Sequence, residues 1–191
     1  MLSLSIKHPD AENFIDAKVE TGKVTGANVS IKIDDEFMQT VIKGGKYHQQ
    51  FPIDSKNPLY EKEIDAKALW DKIVHNAWKS AEPGILFWDT VLRESIPDCY
   101  ADLGFRTVST NPCGEIPLCP YDSCRLLAIN LYGYVDKPFT AEASFNFDKF
   151  KKHVAAAMRM MDDIIDLELE KIDAIIKKIE GDPEDADIRR V

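Results

Sequence analysis

Between Asn111 and Glu115 the chain reads Asn-Pro-Cys-Gly-Glu, and a further cysteine, Cys124, follows eleven residues after Cys113. An amide, a thiol and a carboxylate therefore stand at alternate positions, Asn111, Cys113 and Glu115. On an extended backbone alternate side chains face the same way, so all three can be aimed at one small substrate. Pro112 fixes its own φ and biases Asn111 towards an extended conformation, while Gly114 lets the chain turn or approach a neighbour closely. The plain alternative is a Pro-Gly loop that happens to hold a cysteine.

Three chemistries could use these residues. Structural zinc usually takes cysteines two to four apart, often in two pairs. Here Cys99, Cys113, Cys119 and Cys124 are separated by fourteen, six and five positions, and His48, His75 and His153 are not spaced to complete a set, so no metal is expected. A cysteine nucleophile would need a histidine base in reach. None is near Cys113 in sequence, although His8, His48 or His75 could meet it in space. The third chemistry is radical and redox. A thiol at a loop tip can give up and regain a hydrogen atom, Glu115 can deprotonate a substrate hydroxyl, and Asn111 can hydrogen-bond a neighbouring hydroxyl. Cys124, expected on the adjoining strand, can supply reducing equivalents by forming a disulfide with another cysteine. This reading accounts for amide, acid and both thiols together.

The elements that must position this stretch are legible on either side of it. Leu2 to Ile6 alternates as a strand with one buried face, and Val29, Ile31 and Ile33 repeat the pattern. Between them Pro9, Asp10 and Glu12 suit the first turn of a short helix carrying Phe14 and Ile15, with breaks at Thr21-Gly22 and Thr25-Gly26. Asp34 suits the N-cap of a helix carrying Phe37, Met38, Val41 and Ile42 that stops at Gly44-Gly45. Residues 46–64 have no clear period and read as an excursion, with room for a short hairpin. Asp65 caps the next helix, whose apolar face is Leu69, Trp70, Ile73, Val74, Ala77 and Trp78. Ile85 to Phe87 reads as a short buried strand, Asp89 to Arg93 as a short helix, 94–123 as mostly irregular, and Arg125 to Leu131 as an apolar strand. A long helix spans about 147–180, capped by Asn146 and stopped by Gly181 and Pro183. Its Met158, Met160 and Met161 are expected in the core, and its Asp162-Asp163 and Glu168-Glu170 on a solvated face.

Composition narrows the functions. A chain of 191 residues can bury a core, and 45 % hydrophobic with 30 % charged content is ordinary for a globular protein. A net charge of −9 argues against nucleic-acid binding and against docking on anionic membranes. No apolar run approaches the roughly 20 residues of a membrane helix, and Met1 to Pro9 has no signal-peptide pattern. The expectation is a cytoplasmic protein in which cysteines serve redox, catalytic or metal chemistry rather than a disulfide staple.

Thr110 to Leu118, followed by Asp122-Ser123-Cys124-Arg125-Leu126 and Asn130-Leu131, resembles the catalytic stretch of ribonucleotide reductase large chains, in the flavour of the adenosylcobalamin-dependent class. Weaker similarity covers His8-Pro9-Asp10, Asn28 to Ile31, Asp35 to Met38 and Glu82 to Ile85. The resemblance implies an α/β fold, part of a ten-stranded α/β barrel with the thiyl loop, here about 105–124, threaded through its centre and a long C-terminal helix. It implies reduction of ribonucleoside di- or triphosphates to 2′-deoxyribonucleotides, with adenosylcobalamin as cofactor and an external dithiol such as thioredoxin as reductant. Cys113 matches the cysteine that becomes a thiyl radical and takes the ribose 3′ hydrogen. Glu115 matches the acid that takes the 3′-hydroxyl proton, and Asn111 the amide that binds the ribose. Cys124 matches one of two cysteines that reduce the intermediate, its partner lying outside this chain. Cys99 and Cys119 match no role. Because family members are several times longer, the chain is expected to be an internal piece of the catalytic barrel domain, inactive without the remaining segments of the reductase. A class with a separate radical-generating subunit, a non-catalytic assembly half of a split reductase, and a zinc-stabilised structural domain stay open, as does a homodimer.

Overall fold

The computed structural model describes residues 1–20 and 22–181. The expected break at Thr21 and the helix stop at Pro183 lie outside the described residues. In chain order the elements are β1 (Leu2–Ser5), α1 (Ala11–Ile15), β2 (Val29–Ile33), α2 (Asp35–Lys43), β3 (Lys46–Phe51), β4 (Tyr60–Asp65), α3 (Ala66–Ser80), β5 (Gly84–Phe87) and α4 (Trp88–Glu94). A 3-10 turn (Pro97–Leu103), β6 (Ser109–Thr110), β7 (Pro117–Leu118), a second 3-10 turn (Leu131–Tyr134), β8 (Val135–Asp136), β9 (Ser144–Phe145) and α5 (Phe147–Glu180) follow. They form two compact units, Met1–Cys124 and Arg125–Val191.

The first unit is built on a parallel sheet in the order β1-β2-β5. Its register aligns Leu4 with Ile31 and Ile31 with Ile85, and these three side chains face the helices. Ile6, Ala11, Ile15, Ile33, Phe37, Leu69 and Ile73 complete the core on that side. The neighbouring rows, Ser3 with Ser30 and Gly84, and Ser5 with Lys32 and Leu86, face the other way because strand side chains alternate. Ser30 and Leu86 are buried nonetheless. The second face is therefore covered as well, which is the ordinary condition of a parallel sheet.

The helix starts follow from their caps. Asp34 Oδ1 accepts Phe37 N–H at 2.7 Å and Asp65 Oδ1 accepts Ala68 N–H at 2.9 Å, each satisfying a donor the first turn leaves free. Asp34 Oδ2 also accepts the hydroxyl of buried Tyr47 at 2.5 Å, tying α2 to β3. That hydrogen bond lies behind burial among the causes that raise the Tyr47 pKa. The excursion at 46–64 contains a full antiparallel hairpin, β3 with β4, six residues a side. Buried Gln49 anchors it by donating from Nε2 to the Ile6 carbonyl at 2.8 Å. On α3, Leu69 and Ile73 are buried as expected, but Val74 and Trp78 are exposed. The apolar stripe is wider than the core it meets, and the inner edge of the helix also buries Asn76, which donates to the Ile15 carbonyl and to Asp16.

The second unit is organised on Tyr134. It is buried, its hydroxyl lies 3.0 Å from His153 Nδ1, and its ring packs on Phe145 and Phe150. Asn146 caps α5 by accepting Lys149 N–H at 3.0 Å, as expected. The α5 bounds also match expectation, but Met158 and Met160 are exposed rather than packed in a core, and Ile164 to Ile176 present apolar side chains to solvent. Arg125 pairs with Glu168 on this helix. The strand expected at Arg125 to Leu131 is not formed. A strand needs a ladder partner, and among the described residues none pairs with this segment. The fold is thus mixed α/β with a long C-terminal helix, and among the described residues the four small sheets do not close into a barrel.

Candidate active-site loop

Local chemistry shapes the loop that carries Cys113. Strands β6 and β7 pair antiparallel, Ser109 with Leu118 and Thr110 with Pro117, and Val108 N–H extends the ladder to the Leu118 carbonyl at 2.9 Å. Between the strands the chain does not stay extended. Gly114 N–H donates to the Asn111 carbonyl at 3.0 Å, so residues 111–114 form a β-turn with Pro112 and Cys113 at its centre. Proline suits the second position of such a turn, and Gly114 adopts φ +84°, which favours glycine. This corrects the premise that an extended backbone aligns Asn111, Cys113 and Glu115. The three residues are gathered at one hairpin tip by a turn, not by strand alternation.

The three play different parts there. Asn111 is buried, its N–H donates to the Ile116 carbonyl at 3.1 Å and its Oδ1 accepts Ile116 N–H at 3.0 Å. Its oxygen is therefore committed to closing the loop, and what it has left for a ligand is the Nδ2 donor. Cys113 is a free thiol and is exposed, and Glu115 is exposed beside it. Cys124 is also a free, exposed thiol, but it lies in an irregular stretch rather than on a strand adjoining the loop. Cys119 is half-buried, and desolvation first, then Asp122 and Asp98, raise its thiol pKa.

Sequence reasoning missed how the loop is held. Its root lies against the polar side of the parallel sheet. Ser3 Oγ is 3.1 Å from Ser109 Oγ, Lys32 Nζ donates to the Val108 carbonyl, and a Cβ at Gly114 would come within 3.3 Å of Leu86 Cδ2. The sequence signal was present in the serines that alternate with Leu2, Leu4 and Ile31. At the same root Thr107 N–H donates to Asp98 Oδ1 at 3.1 Å, and Thr107 and Ser95 hydroxyls lie 3.1 Å apart. A cleft of about 850 Å³ opens here, lined by Ser5, Lys7, Lys32, Trp88 and Thr107 among others. Neither Cys113 nor Glu115 lines it.

The histidines proposed as bases are occupied elsewhere. His8 accepts Asp10 N–H and packs edge-on to Phe51, His48 Nε2 is 3.3 Å from Glu61, and His75 packs on Trp78. These contacts lie at the β1–α1 connection, on the β3–β4 hairpin and on α3, and none of them involves a residue of the Cys113 loop. Among the described residues no group of three or more His, Cys, Asp or Glu is arranged to hold a metal ion. No described helix is long and apolar enough to cross a membrane.

Comparison with known proteins agrees in one direction. The family described as ribonucleotide reductase, barrel domain, matches residues 1–181. The chain is 34 % identical over 186 residues to a vitamin B12-dependent ribonucleoside-diphosphate reductase of Thermoplasma acidophilum, covering 92 % of this chain and 22 % of that protein. A protein of the same description from Mycobacterium tuberculosis is 32 % identical over 169 residues, covering 87 % and 22 %. A vitamin B12-dependent ribonucleotide reductase of Streptomyces clavuligerus is 30 % identical over 186 residues, covering 85 % and 18 %. The chain thus spans about a fifth of the length of the curated relatives it matches.

Proposed function

The chain belongs to the ribonucleotide reductase barrel-domain family, and on that premise we propose that it carries the thiyl loop of an adenosylcobalamin-dependent reductase that converts ribonucleoside di- or triphosphates to 2′-deoxyribonucleotides. The observation that carries this reading is the placement of Cys113, a free thiol exposed at the centre of a β-turn whose base is fixed to a rigid sheet. A thiol so placed can be reached by a separate radical source and then by a sugar. In the complete enzyme the sheet of the first unit is part of a ten-stranded barrel, and the loop enters its centre.

Adenosylcobalamin, when bound, would supply radical chemistry, and the exposed Cys113 thiol is the group of this chain that would yield a hydrogen atom to it. What this chain offers that cofactor is the exposed sulfur itself. The Cys113 sulfur then takes the 3′ hydrogen of the ribose. Glu115 accepts the 3′-hydroxyl proton as general base, and Asn111 Nδ2 donates a hydrogen bond to the sugar. The 2′ C–O bond breaks and the oxygen leaves as water. Cys124 and a partner cysteine outside this chain give two electrons and two protons, one proton to the leaving water and one to the 2′ carbon, and become a disulfide, while Glu115 returns its proton to the 3′ oxygen and Cys113 returns a hydrogen atom to the 3′ carbon. An external dithiol such as thioredoxin reduces the disulfide for the next turnover. Turnover needs the remaining segments of the reductase, and we place the reaction in the cytoplasm.

The test is tritium release from a 3′-tritiated ribonucleotide by the full-length reductase bearing this segment, supplied with adenosylcobalamin and dithiothreitol. Release is expected with Cys113 and absent in Cys113→Ala. Release that survives Cys113→Ala overturns the assignment. Multiple turnovers by the 191-residue chain alone would overturn its dependence on the remaining segments.

A further inference from the structure

Lys32 stands out because nothing in the proposed reaction uses it. It occupies the central strand of the parallel sheet, on the side away from the helices, where its register neighbours are Ser5 and Leu86. A lysine there, half-buried between two strands, is an expensive choice unless its charge is used. Its ammonium donates to the carbonyl of Val108, the residue that opens the β6–β7 hairpin. The same nitrogen sits 3.9 Å from the centroid of the Trp88 ring at the start of α4. Burial holds its pKa below the ordinary lysine value. Two different elements thus meet on one cation, and one of them is the root of the loop that carries Cys113.

The other ties of the hairpin to the sheet are weaker in kind. Ser3 with Ser109 is a hydroxyl pair, and at Gly114 it is only an added Cβ that would come within 3.3 Å of Leu86 Cδ2. A hydrogen bond from a charged donor is worth about twice a neutral one. We propose that Lys32, held over Trp88, is a positioning residue that fixes the height and orientation of the Cys113 hairpin on the sheet. The assignment rests on the reading of that hairpin as the catalytic loop only for its consequence, since the anchoring itself is a statement about geometry.

Amide hydrogen exchange in the 191-residue chain tests it without reference to activity. Asn111 and Ile116 N–H report the hairpin, and Ile31 N–H, within the parallel ladder, reports the sheet. Lys32→Met is expected to speed hairpin exchange roughly tenfold, the factor that a hydrogen bond to a charged group is worth, while Ile31 exchange stays unchanged. Lys32→Arg is expected to keep hairpin exchange close to the native rate. Equal acceleration of hairpin and sheet, or no change in either, overturns the assignment. If Lys32→Met does not fold, Trp88→Leu carries the test: it must loosen the hairpin selectively, and native hairpin exchange in it overturns the proposal. A chain with an anchored hairpin but no role for Cys113 would sink the proposed function and leave the anchoring intact.

Discussion

Asn111 and Ile116 share two hydrogen bonds across the Cys113 turn: from Asn111 N–H to the Ile116 carbonyl at 3.1 Å, and from Ile116 N–H to the Asn111 side-chain oxygen at 3.0 Å, with Asn111 itself buried. The two are distinct closures of the turn from the Asn111 side, one through its N–H and one through its Oδ1. The amide read from sequence as a substrate contact is thus also the clasp of the loop.

The two roles separate by substitution. Asn111→Ala removes the clasp and leaves Ile116 N–H without its acceptor, at a cost of about 1–3 kcal/mol. Asn111→Asp keeps an oxygen for Ile116 and loses the Nδ2 donor. In thermal unfolding Asn111→Ala is expected to melt lower and Asn111→Asp close to the native chain. In the full-length reductase both are expected to lose nucleotide reduction. Native reduction by Asn111→Asp would leave Asn111 with the clasp alone.

Cys124 is assigned a role after the first hydrogen transfer, so its loss should uncouple two readouts. In the full-length reductase Cys124→Ala is expected to retain tritium release from a 3′-tritiated substrate while deoxynucleotide formation falls to background. Loss of both together, as in Cys113→Ala, would contradict the division of labour.

The close approach of β2 and β5 has its own signature. A Cβ at Gly84 would stand 2.7 Å from Ser30 Oγ but 3.6 Å from Ser30 Cβ. Gly84→Ala is therefore expected to destabilise the first unit by about 1–3 kcal/mol, as overpacking does. Ser30→Ala removes the offending oxygen, and the double variant Ser30→Ala with Gly84→Ala is expected to recover most of the loss. Denaturant unfolding of the four chains closes the cycle, and simple additivity would show that the contact is not the cause.

Acid should loosen the loop root. Desolvation alone would raise the Asp98 pKa, but the hydrogen bonds from Thr107 outweigh it, helped by Ser95 and by the Arg106 charge, and the carboxyl titrates below its usual value. A depressed folded pKa stabilises the native state above the unfolded value of about 3.9, and that contribution is lost as pH falls through the folded value. Hairpin-root exchange, corrected for intrinsic rates, is expected to rise below about pH 4 in the native chain. The rise should be absent in Asp98→Asn, and an identical acid profile in both chains would remove Asp98 from the account.

Much of the scaffold was legible because its signals are local. Asp34, Asp65 and Asn146 cap the helices they were expected to cap, since a side-chain oxygen two or three residues before a free N–H needs no tertiary partner. The alternation in Leu2 to Ile6 and Val29 to Ile33 marked two strands, and the joint motif around Cys113 and Cys124 marked the family. The β3–β4 hairpin was only half seen, because its strands carry Lys46, His48, Gln49, Gln50, Glu61 and Lys62 and show little contrast between faces.

Tertiary structure decided the rest. Residues 125–131 have the composition of a strand, yet a strand is a relation between two segments and this one has no partner among the described residues. Asn111 to Glu115 carry the right groups, but whether they lie extended or turned depended on the Gly114–Asn111 hydrogen bond and on the ladder that closes beneath it. Which residues chemistry can use was written in side-chain identity, a property of each position by itself. How those residues are presented was set by contacts between positions far apart in the chain, Ser3 with Ser109 and Lys32 with Val108, and no local pattern encodes a pairing of that kind.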